Sequence, residues 1–175
     1  MKKLFVLIIV LAVFAVSENA YSQTLKSVLL EQLKTTHGKK NWFVPVNIAL
    51  EGVTPEQAMW KDGSGNHSVG QLAYHLLFWN KRVLTGLKGE KEPDFTGNNE
   101  ETFTAFDKNT WTQTVSDLDK VLAEMEKIIE GADDAKLKKM AETISNVSAH
   151  NAYHTGQIVF VRKLQKSWDP EKGVK

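Results

Sequence analysis

"WTQTVSDLDKVLAEMEKII", residues 111 to 129, decides the fold class. Trp111, Val115, Leu118, Leu122, Met125 and Ile129 recur at alternating steps of four and three, which places them on one stripe of an α-helix. Most of the intervening residues are charged or hydroxylic, so the opposite face suits solvent. A stripe of this kind is the seam of a helix bundle. Gly131 ends the segment, and Asp133-Asp134 suit the start of another helix, where negative charge meets the positive end of the helix dipole.

The same periodicity recurs on both sides, while alternating strand patterns are scarce. Upstream, a helix is expected from Gln23 or Thr24, burying Leu25, Val28, Leu29 and Leu33. Gly38 and Pro45 should bend it before the apolar pattern resumes at Trp42, Phe43, Val46, Ala49 and Leu50 and runs to about Glu51. Residues 52–67 read as a loop with a short helical turn at Thr54-Pro55-Glu56. Ser68 is a good N-cap for a helix from Val69 to Leu87, striped by Leu72, His75, Leu76, Trp79 and Val83. A polar stretch over residues 88–108 makes a connection long enough to cross a bundle end or flank a site. The last helix carries Ile144, Val147, His150, His154, Ile158, Val161 and Leu164 and should end near Ser167 and Trp168, before Pro170. Four long amphipathic helices predict an all-α, four-helix bundle. Trp42, Trp60, Trp79 and Trp111 all read as core.

The first 22 residues stand apart. Lys2 and Lys3 precede an apolar run from Leu4 to Val16, and Ala20-Tyr21-Ser22 places small residues where a signal peptidase cuts, so cleavage is expected before Gln23. The run falls short of the roughly 20 apolar residues a membrane span needs. A secretory signal peptide at 1–22 followed by one domain at 23–175 is the expected organisation, with a periplasmic or secreted location and no stable membrane insertion after cleavage. Losing Lys2, Lys3 and Glu18 leaves 20 basic and 20 acidic residues, a balance that offers nucleic acid no basic surface. Cysteine is absent, which excludes disulfides, thiolate nucleophiles, cysteine-rich zinc sites and a lipoprotein anchor.

The chain has five histidines, two of them four positions apart in "HNAYH", residues 150 to 154. Five scattered histidines produce such a pair in roughly one chain in nine, so spacing alone is a weak signal. Placement adds weight, because His150 and His154 fall in the apolar stripe of the last helix and His75 falls in that of the Val69 helix. Three buried imidazoles would repel one another if protonated, and a divalent cation would resolve that conflict. The other reading has the rings satisfied by hydrogen bonds from Asn146, Gln71, Gln157 or Tyr153, and periodicity leaves both open. His37, in the polar "HGKK" stretch, and His67, beside the Ser68 cap, suit surface or loop positions, with His67 close to the mouth of any site at that end. Asn151 stands where H-E-x-x-H has its glutamate, so the metalloprotease base is missing. Glu-x-x-His pairs of di-iron bundles are also absent from the seams.

"HSVGQLAYHLLFWN", residues 67 to 80, and "HNAYHTGQIVFVRKL", residues 150 to 164, together resemble the DinB/YfiT-like superfamily, as does "LEGVTPEQAMW" before the first of them. The resemblance implies a four-helix bundle holding a divalent metal on His75, His150 and His154, with Gly156 and Gln157 matching the family pattern without an assigned role. Imidazole ligands suit zinc, nickel or iron. The resemblance further implies hydrolysis or group transfer on a small-molecule substrate, and suggests a homodimer. Relatives that use low-molecular-weight thiols are cytoplasmic, which the leader sequence argues against. The rival reading is a non-catalytic bundle with a structural metal or a small-ligand-binding role.

Overall fold

A computed structural model describes residues 24–92 and 94–173; the leader expected at residues 1–22 lies outside them. The fold is all-helical, with no strand among the described residues. Helix α1 spans Leu25–His37, opened by the Thr24 side chain, which accepts from the Ser27 amide at 3.1 Å. Two short helices follow, α2 at Val46–Leu50 and α3 at Pro55–Met59. Thr54 and Gln57 close a capping box at the start of α3. Helix α4, Val69–Lys88, begins with a second capping box between Ser68 and Gln71 and ends on Gly89, whose φ of 79° is the left-handed geometry of a C-cap. The 88–108 connection contains a four-residue helix, α5 at Glu101–Thr104, and leads through a 3₁₀ turn at Lys108–Thr110 into α6, Trp111–Gly131. Helix α7, Asp134–Leu164, starts where the Asp133 carboxylate accepts from the Lys136 amide at 2.8 Å. It ends before Lys166, which adopts a φ of 59°.

Helices α1 and α4 each pack against both α6 and α7, so four long helices share one core. Leu29 and Leu33 of α1, Leu72 and Leu76 of α4, Leu118, Leu122, Met125 and Ile129 of α6, and Ile144 and Ile158 of α7 are buried in it. Burying side chains of this size stabilises the fold by about 1.5–3 kcal/mol each. The α6 seam is as its periodicity predicts, except that Val115 is half-buried at the edge and Thr114 is buried in its place.

The first helix departs from its predicted pattern. It does not continue through Pro45 with a bend; it stops at His37, and Trp42 and Phe43 lie outside any helix at 97 % and 40 % exposure. Pro45 cannot donate a backbone hydrogen bond and instead occupies the N-cap of α2. Trp42 is therefore not core. Leu25 and Val28 in the first turns of α1, and Leu164 in the last turn of α7, are also largely exposed, because the stripe runs past the ends of the packed region. His37 is not a loop residue: it closes α1, and its ring bridges Glu126 (Nδ1 to Oε1, 2.6 Å) and Asp119 (Nε2 to Oδ1, 2.9 Å) on α6.

Arg162 of α7 is buried and ties α2 to the C-terminal turn. Its guanidinium donates to the carbonyls of Ala49 at 2.7 Å, Glu51 at 3.2 Å and Ser167 at 2.8 Å, and lies over the Trp168 ring. At the start of α4, Gly70 lets the Phe106 ring lie against the helix backbone, since a Cβ there would be 2.2 Å from Phe106 Cε1. That close approach seats the 89–110 connection on α4. No helix among the described residues is long and apolar enough to cross a membrane.

Candidate metal centre

The α4–α7 interface is built around two reciprocal amides. Asn80 donates to Asn151 Oδ1 at 2.7 Å and Asn151 returns a bond to Asn80 Oδ1 at 3.1 Å, while Asn80 also reaches the Leu76 carbonyl at 2.8 Å. Both side chains are buried, so this pair fixes the rotation and register of α4 against α7. The position that carries a base in H-E-x-x-H is thereby turned into the helix–helix contact.

With that register, His75 of α4 meets His150 and His154 of α7. One ligating nitrogen from each lies within 4.8 Å of those from the other two, and the Nε2 atoms of His75 and His150 are 3.1 Å apart. The rings of His150 and His154 are 4.6 Å apart and nearly perpendicular, as expected one turn apart on a helix. His75 and His154 are buried, and His150 is half-buried toward solvent.

Hydrogen bonds behind the rings fix where their lone pairs point. The Thr102 hydroxyl donates to the Asn99 carbonyl at 2.6 Å, so it must accept the second contact, 2.6 Å from His75 Nδ1. His75 therefore carries its proton on Nδ1 and presents a bare Nε2. His154 Nδ1 likewise donates to Gln157 Oε1 at 2.6 Å, with Gln157 braced by Tyr153 at 3.4 Å. His150 Nδ1 has no partner among the described residues; the ring can place its proton on Nε2 toward His75 or shift it to Nδ1 toward solvent. Phe103 stacks on His75 at 3.8 Å and on the other side stacks on His67 at 3.9 Å, holding the His75 ring plane.

Burial, reinforced by repulsion from the neighbouring rings, pushes the His75 imidazole down to about 3 and that of His150 to about 4. Burial also lowers His154, against the opposing pull of its bond to Gln157. These are neutral imidazoles at pH 7, the form that ligates metal. Two inward lone pairs fixed by outer hydrogen bonds, and a third ring free to switch tautomer, match the donor set of a three-histidine site. The 3.1 Å nitrogen separation is the spacing of neighbouring ligands on one ion with bonds of about 2.1 Å. Zinc, nickel or iron would each fit these donors.

Above the rings opens a cavity of about 680 Å³. Trp79, Val83, Phe103 and Val147 form its walls, and Asn99, Thr143, Asn146 and Tyr153 its rim. Among the described residues no aspartate, glutamate or fourth histidine joins the three rings, so protein side chains occupy one side of the site and the cavity the other.

All three histidines singled out in the sequence converge. His67 lies near them, 27 % exposed, but Phe103 separates it from the site. Gln157 acquires a role, orienting His154. The 88–108 connection does flank the site, as its length suggests, but the sequence reading missed Thr102 and Phe103 within it; the signal was two aromatics, Phe103 and Phe106, inside "ETFTAF". Trp79 is half-buried at the cavity wall and is not plain core.

A family model described as the DinB superfamily matches residues 46–159, which include α2 to α6 and the stretch of α7 bearing His150 and His154. No curated protein and no solved structure gave a significant match. With the matched segment covering well over half of the sequence and all three converging histidines, the chain belongs to the DinB superfamily.

Proposed function

We propose that the protein is a metal-dependent enzyme that carries out hydrolysis or group transfer on a small molecule, with His75, His150 and His154 as the metal ligands. The observation that carries the reading is the convergence of three imidazoles on the floor of an open cavity, two of them with their tautomers fixed from behind. A structural ion is normally closed off by a fourth protein ligand, whereas a catalytic one keeps a position for water or substrate. The ion, when bound, would act as a Lewis acid and lower the pKa of a coordinated water toward 7.

The chain's own residues supply the rest. Thr102 and Gln157 hold two ligand rings in the metal-binding tautomer, and Phe103 fixes the plane of His75. Trp79, Val83 and Val147 exclude water from one side of the cavity. No carboxylate lines it among the described residues, so a proton shed in the reaction would pass to solvent in the open cavity.

The leader-like sequence at residues 1–22 supports export to the periplasm or beyond, which N-terminal sequencing of the secreted protein would test by finding Gln23 first. The central test is elemental analysis of protein purified without a histidine tag. One metal equivalent per chain is expected, falling below a tenth in His154→Ala; a metal-free wild-type chain, or an unchanged content in the variant, would refute the site.

A further inference from the structure

Apart from the three histidines of the floor, the described residues of the cavity walls and rim offer no imidazole, carboxylate or thiolate. Among the described residues that line the cavity none is Asp, Glu, Lys or Arg. Arg82, whose guanidinium lies against the Trp79 wall, is engaged elsewhere. Its guanidinium pairs with Glu92 at 2.7 Å and lies against the rings of Phe78, Trp79 and Phe95 at 5.7–6.0 Å. The polar groups left are neutral. Asn146, Thr143 and the Asn99 side chain have no hydrogen-bond partner among the described residues and stand at the exposed rim, opposite apolar walls.

A charged group held against these walls or at the rim, away from the three histidines, gives up hydration and meets no side-chain counter-charge. An apolar body meets Trp79, Phe103, Val83 and Val147 and gains from burial. An amide, ester or hydroxyl carried by that body can bond to the neutral rim.

We infer that the cavity accepts an organic molecule with an uncharged aromatic or branched apolar body, whose reacting group reaches the three histidines while its far end meets neutral amides and hydroxyls. Molecules that carry a charge on that body or at its far end are selected against. This inference rests on the three-histidine metal site and names the substrate class that site would serve.

Hydroxamates test it, because the headgroup binds divalent metals and the remainder can be varied. Calorimetry on the zinc-loaded full-length chain would compare acetohydroxamate, which is headgroup alone, with benzohydroxamates bearing a 4-methyl, 4-carboxylate or 4-trimethylammonio group. The 4-methyl compound should bind at least tenfold more tightly than acetohydroxamate and than either charged analogue. Asn146→Asp, at an exposed rim position, should retain zinc and shift the ratio of trimethylammonio to carboxylate affinity upward at least threefold. Failure of acetohydroxamate to bind would overturn the metal site, and the inference with it. If acetohydroxamate binds but the aryl compounds show no preference for the neutral member, or Asn146→Asp leaves the charge ratio unchanged, the metal site stands and the substrate class is wrong.

Discussion

Replacing Thr102 by valine should weaken metal binding beyond the loss of the Asn99 bond, which the metal-free and metal-bound states share, and the reason lies in the tautomers of His75. The Thr102 hydroxyl accepts the Nδ1 proton of a ring that is only 2 % exposed. Valine keeps the shape and removes the acceptor. In the metal-free variant the ring has an escape: the proton moves to Nε2 and is donated to His150 Nε2, 3.1 Å away. A metal on Nε2 forbids that tautomer, so only the metal-bound state carries a buried, unpaired N–H, at about 1–3 kcal/mol. The expected loss is about tenfold to a hundredfold in affinity, in line with outer-shell substitutions at other metal sites. Chelator competition for zinc on the tag-free protein measures it, and Thr102→Ser, which restores the hydroxyl, should stay within about threefold of wild type, well inside the error of a single hydrogen bond's worth. A Thr102→Val protein that binds zinc as tightly as wild type would refute the tautomer argument. So would one whose metal-free form loses stability by the whole amount.

Three further outcomes follow from the packing and the charge states. The lowered pKa values of His75 and His150 mean that, below about pH 6.5, the unfolded metal-free chain takes up protons that the folded chain refuses, so folding stability falls as pH drops from 6.5 toward 4 and 3; urea midpoints of the metal-free protein should be lower at pH 5 than at pH 7.5, with a flatter dependence in His75→Gln, and a midpoint that holds steady in the wild type would count against it. Gly70→Ala drives a Cβ to 2.2 Å from Phe106 and should destabilise by about 1–3 kcal/mol, also loosening zinc because the displaced segment carries Thr102; thermal unfolding and zinc competition together check this, and a variant of wild-type stability would show that the ring moves aside freely. Arg162→Met strands the carbonyls of Ala49, Glu51 and Ser167 and should cost about 3 kcal/mol, seen as a lower melting temperature with zinc affinity within twofold, whereas an unchanged melting temperature would mean water replaces the guanidinium.

Periodicity made the long helices legible because their stripes face one another. Leu118, Leu122, Met125 and Ile129 each had to be buried for α6 to pack, and the spacing recorded it. Pattern failed where an apolar residue had no opposing surface. Trp42 and Phe43 satisfy a helical stripe on paper, but the chain between His37 and Val46 is not helical, and it leaves Trp42 almost wholly exposed and Phe43 only partly covered. Local chemistry did better at boundaries: Ser68, Asp133 and Gly131 mark helix ends through groups that satisfy or interrupt the backbone there, independent of tertiary context.

The site divides along the same line. His75, His150 and His154 could be selected from burial alone, because a histidine in an apolar stripe needs an explanation. Gln157, one helical turn beyond His154, was legible as a hydrogen-bond partner for these rings, and it bonds His154; Thr102 and Phe103 could not be selected, since each acts on a ring reached across space and neither carries a charge or a period. "HNAYH" illustrates the limit most clearly. Read locally, Asn151 is a defect in a metalloprotease motif; in three dimensions it bonds Asn80, a residue 71 positions earlier, and sets the register that brings His75 to its partners. The residue that stands in place of a metalloprotease base thus supplies the clamp between the two helices that carry the three histidines.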